Sequence, residues 1–140
     1  SEMCIRDRIN AALSDHEGKN LLYLSEKSCS HSLIYATREC STQVRSQEVT
    51  IRTLDGIVKK LKLTKIDLLK IDVEGAELRV LKGAKESLAK GKIFRIVAEL
   101  HPPFVRCPKR LVSLLQEFGY TVTLNTDLRF IYAFKSVSMN

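Results

Sequence analysis

"KIDLLKIDVEGAELRVLKGA", residues 65–84, decides how this chain folds. Residues 65–73 form a nearly continuous apolar run, the pattern of a strand buried on both faces in a parallel sheet. The run meets Asp72 and Glu74, bends at Gly75, and passes into Leu78, Leu81, Ala84 and Leu88 at helical spacings of three and four, closing near Gly91. A sheet interior has no use for an unpaired carboxylate, because desolvating one is costly without a partner. Two acids at a strand end therefore imply something there that wants negative charge.

Upstream, "EVTIRT" (48–53) alternates as a half-exposed strand does, and "LDGIVKKLKL" (54–63) carries helix-spaced Leu54, Ile57, Val58 and Leu61. Further upstream, "INAALSD" (9–15) and "NLLYLS" (20–25) read as short strands on either side of a turn at "HEGK". Residues 26–47 are rich in serine and threonine and read mostly as a loop, long enough to suggest function or mobility. Downstream, "KIFRIVAELHPP" (92–103) is a second buried strand stopped by two prolines. "PKRLVSLLQEFGY" (108–120) is helical, with Pro108 near its start and Gly119 closing it. "TVTLN" and "RFIYAFK" make two strands around a turn at Thr126 and Asp127. Strand and helix alternating from residue 48 predict an α/β sandwich with a mostly parallel sheet, closed by a C-terminal antiparallel hairpin.

At 140 residues and 44% hydrophobic content, one globular domain with a real core is expected. No apolar run reaches the length of a membrane helix and no signal-peptide pattern is present, so the expected location is cytoplasmic, with no membrane partner. Cys4, Cys29, Cys40 and Cys107 lie far apart, without the spacing of a zinc site or a disulfide framework. The formal charge of +7 comes from lysines scattered over helical stretches, and no tryptophan is present, so a solvated surface is expected rather than a nucleic-acid partner. "SEMCIRDR" (1–8) resembles translated sequencing adapter and reads as non-native, leaving 9–140 as the domain proper.

In open α/β sheets, ligands bind beyond the carboxyl ends of the strands. Asp72 and Glu74 occupy that edge after one strand, Glu99 and His101 after the next. Three carboxylates and an imidazole in one crevice could orient a hydroxyl, accept its proton, or hold a divalent cation. The plainer alternatives are a helix cap or a Lys70 partner for Asp72, and a loop cap for Glu99. Gly75 permits close backbone approach, and Glu77, in the first helical turn, is accounted for by the helix dipole. His16 and His31 read as surface residues.

The block 66–84, followed by "IVAELHP" (96–102), resembles the FkbM-type methyltransferases, a family of class I S-adenosylmethionine-dependent enzymes. "INAALSD", "SHSL" (30–33), "VTIRTLDGIV" (49–58) and "LLQEFGYTV" (114–122) stand in the family's order, so the likeness runs from Ile9 to Lys135. It implies a Rossmann-like three-layer sandwich, S-adenosylmethionine as cofactor, and a hydroxyl of a sugar or other small molecule as acceptor. It also implies that Asp72 faces the methyl group and acceptor, with Glu74 and His101 as catalytic partners. Asn10, Ala11 and Ala12 would lie by the cofactor's adenine, and Gly75 and Glu99 on the acceptor side.

One feature of the family is missing. No G-x-G occurs in the chain, and the first strand, glycine-rich loop and ribose-holding acid would all precede Ile9. The expectation is the C-terminal part of a methyltransferase, inactive by itself, with strand 66–73 left as an open edge unless "INAAL" pairs there. Two readings stand beside it: a binding module without activity, and a metal-dependent nuclease of the D-x-E type.

Overall fold

A computed structural model describes residues 7–24, 32–33, 45–101, 108–125 and 129–135. Its first sheet is built from β1 (Ala12–Leu13), β2 (Gly18–Leu24) and β3 (Arg45–Arg52), in the order β1-β3-β2. α1 (Leu54–Lys60) follows, then β4 (Leu69–Ile71), α2 (Glu77–Lys82), α3 (Lys85–Ala89) and β5 (Arg95–Glu99). α4 (Pro108–Glu117), β6 (Tyr120–Asn125) and β7 (Phe130–Lys135) complete a second sheet of order β4-β5-β7-β6.

The α/β character and the closing antiparallel hairpin agree with the sequence, but the sheet is not mostly parallel. Among the described residues β1 with β3 and β4 with β5 are parallel, whereas β2 with β3, β5 with β7 and β6 with β7 are antiparallel. Helices α2 and α3 supply the crossover that a parallel β4–β5 pair requires. β7 instead runs antiparallel to both of its neighbours, so the second half of that sheet is antiparallel.

The run 65–73 also differs from a strand buried on both faces. Only Leu69–Ile71 is strand, Ile66 makes a single bridge to Ile93, and Leu68 is 56% exposed. The cause is the edge: among the described residues β4 has β5 as its one strand neighbour. Nor does "INAAL" fill that edge, since Ala12 and Leu13 pair with Ile51 and Arg52 in the other sheet.

The expected single helix after Gly75 is two. α2 ends at Lys82 and α3 starts at Lys85, and Gly83 between them is pressed against the residue that follows β1: a Cβ there would sit 2.1 Å from the Ser14 carbonyl oxygen. α3 has Ala84 at its N-cap, which offers no side-chain acceptor. Asp55 of α1 takes over, accepting from the Glu86 and Ser87 backbone N–H groups and from the Ser87 hydroxyl. Against the second sheet, Leu81 and Leu88 pack with Ile96, Leu111, Leu115 and Ile131 in one apolar core. The loop expected between residues 26 and 47 is described only at 32–33 and 45–47, and the turn at Thr126 and Asp127 lies outside the described residues. Among the described residues no helix is long and apolar enough to cross a membrane.

Candidate active site at the ends of β4 and β5

Beyond Ile71 the chain reverses through a tight turn. Glu74 has φ 48° and Gly75 φ 98°, and the Ala76 N–H donates to the Val73 carbonyl at 3.3 Å. A left-handed conformation suits glycine but costs a residue with a Cβ about 1 kcal/mol. The Ser32 hydroxyl holds the turn from outside, donating to the Glu74 carbonyl at 2.7 Å.

The turn delivers Glu77 to the bottom of the site. Its Oε1 accepts from the Gly75 N–H at 3.0 Å and lies 2.9 Å from His101 Nδ1, and the residue has no exposed surface. A carboxylate only accepts, so Nδ1 carries a proton toward Glu77 and Nε2 is the nitrogen turned away from it. Nε2 faces Glu74 Oε1 at 3.5 Å, Asp72 Oδ1 at 3.6 Å and Glu99 Oε1 at 3.9 Å, each beyond direct hydrogen-bond length. Asp72 turns its other oxygen to Lys70 Nζ at 2.8 Å, and this hydrogen bond raises the Lys70 pKa. The plain role foreseen for Asp72, a partner to Lys70, therefore coexists with membership of the cluster.

Asp72, Glu74, Glu99 and His101 thus come together as the strand ends predict, with Gly75 tied in through its N–H. Asn10, Ala11 and Ala12 do not join them. They lead into and begin β1 in the other sheet, and no hydrogen bond or ion pair among the described residues links them to the cluster. Glu77 is the residue that sequence reasoning missed. Far from being a solvated helix-dipole charge, it is buried and orients the imidazole. A signal was present: Glu77 stands three, four and seven residues before Val80, Leu81 and Ala84, on the helix's apolar face.

The methyltransferase FkbM domain family matches residues 2–122. The chain belongs to this family. FkbM domains are methyltransferases of the S-adenosylmethionine-dependent kind. A stretch of 81 residues, 55% of this FkbM chain, is 37% identical to the AMB antimetabolite synthetase AmbE of Pseudomonas aeruginosa. It spans 4% of that protein's length. No solved structure matches the chain.

The cofactor's fit can be judged from the donor set. Acids and an imidazole suit a cation or a hydroxyl, Asn10, Ala11 and Ala12, the residues expected beside the adenine, lead into and begin β1 in the other sheet, and no G-x-G offers backbone amides. The described residues do not by themselves form a cradle for S-adenosylmethionine.

Proposed function

We propose that this chain carries the acceptor side of an S-adenosylmethionine-dependent O-methyltransferase acting on a hydroxyl of a sugar or other small molecule. The observation that carries the reading is the convergence of Asp72, Glu74, Glu99 and His101 at two adjacent strand ends, within the residues that the family matches. A hydroxyl is a poor nucleophile until its proton is drawn away, and a cluster of acceptors around a fixed imidazole gives that proton a place to go. Glu77 fixes the ring so that Nε2, not Nδ1, faces the acceptor side.

In this reading the cofactor side belongs to sequence upstream of Ile9. Support comes from the missing glycine motif and from β4, which among the described residues has one strand neighbour, with Leu68 just before it exposed where a further strand would bury it. The test is calorimetric binding of S-adenosylhomocysteine to this chain and to one extended upstream along its gene. Binding by the extended chain alone is the expected result. Comparable binding by the 140-residue chain would show that the glycine loop is dispensable and overturn this account of the cofactor side.

A further inference from the structure

We propose that Asp72, Glu74 and His101 form a site for one divalent first-row cation of the Mn2+ class, with Glu77 as the positioning residue behind His101. The proposal rests on the acceptor-side reading above and deepens it.

The first support is spacing. One ligand atom from each of the three residues lies within 4.8 Å of the others. Atoms bonded to a common ion at about 2.0–2.2 Å stand roughly 3.0–3.5 Å apart. The 3.5 and 3.6 Å gaps from Nε2 to Glu74 and Asp72 are close to that separation and too long for direct hydrogen bonds. The second support is the imidazole. A histidine that ligates through one nitrogen characteristically donates its other N–H to a carboxylate, as His101 does to Glu77.

The third support does not depend on the outer acids. Glu77 is fully buried, and its Oε2 is a buried side-chain oxygen without a hydrogen-bond partner. A buried carboxylate in that state calls for positive charge nearby, and it abuts His101, one of the three side chains that would be bonded to the ion. The nearest lysine, Lys70, pairs directly with Asp72, while Glu74, Glu77 and Glu99 share a single imidazole. Two carboxylates with one imidazole favour Mn2+ over Mg2+, which prefers oxygen ligands throughout. At the end of two strands such an ion would bind an acceptor hydroxyl and ease its deprotonation.

The experiment is a titration of the 140-residue chain with Mn2+, followed by the loss of the free-ion electron paramagnetic resonance signal and by the rise in melting temperature. Expected is saturable uptake of a single ion. Glu74→Gln and the double change Asp72→Asn with Glu74→Gln should abolish saturation, and Glu77→Gln, which keeps the side chain's volume, should weaken binding about 10- to 100-fold. Circular dichroism of each ion-free variant separates lost binding from lost fold, and Glu99→Gln, at the rim, gives a second weakened variant should Glu77→Gln unfold. Absence of saturable uptake at millimolar Mn2+ by the folded chain would overturn the proposal, as would uptake unchanged in the double variant. Neither result bears on binding of S-adenosylhomocysteine by the extended chain, so this site and the methyltransferase reading can fail separately.

Discussion

At Glu74 two demands meet in one residue. The turn after Val73 needs a left-handed backbone, which glycine provides freely, yet the cluster needs a carboxylate there. The strain is separable from the charge by comparing two variants that both lack the acid. Glu74→Gly should exceed Glu74→Ala in stability by about 1 kcal/mol, read from denaturant midpoints, since only alanine retains the Cβ penalty. Equal midpoints, or alanine the more stable, would show that the turn is not strained. Asp72, Glu74, Glu99 and His101 were legible from the sequence because strand-end position follows directly from the apolar pattern. Glu77 was not, because a glutamate in a first helical turn has a sufficient explanation on the surface, and only its register with Val80 and Leu81 says otherwise.

At the level of elements, single contacts decide where helices begin and stop. Glu17, in the bend before β2, grips the start of α1: it accepts from the Thr53 N–H and hydroxyl and from Arg52, while Thr53 caps the helix through the Gly56 N–H. These donors, the Thr53 N–H foremost, hold its carboxyl at about 2, below the ordinary 4.5. A depressed carboxylate stabilises the fold above the unfolded value and loses that contribution as pH falls through the folded one. The stability difference between the native chain and Glu17→Gln should therefore be full at pH above 4.5 and shrink as pH falls toward 2. A difference that does not vary over that window would remove Glu17 from the acid response. At the break between α2 and α3 there is no room for a side chain, so Gly83→Ala, although its φ of −76° suits alanine, should cost about 1–3 kcal/mol as Ser14 is pushed away. A neutral or stabilising result in thermal melts would mean that Ser14 yields without cost. The helix pattern from 76 to 91 gave no hint of this break, because a glycine flanked by good helix formers is unremarkable until another strand's carbonyl is known to lie over it.

For the whole molecule, the sequence conveyed the alternation of elements but not the division into two sheets. Strand pairing partners depend on which chains are adjacent in space, and β1 could be assigned to β4 or to β3 on pattern alone. Among the described residues β4 is left with one strand neighbour and with Leu68 and Lys70 exposed, the kind of edge to which a further strand can add. The acid and imidazole cluster stands at the end of that same strand, so the edge and the acceptor site share one element. The measurement that tests the central claim most directly is transfer of a labelled methyl group from S-adenosylmethionine to a panel of sugar and other small-molecule hydroxyls by the upstream-extended chain. Transfer that falls about a hundredfold or more in Glu74→Gln and in His101→Ala, with S-adenosylhomocysteine binding retained, is the predicted result. Undiminished transfer in both variants would contradict the assignment of the acceptor site to this cluster.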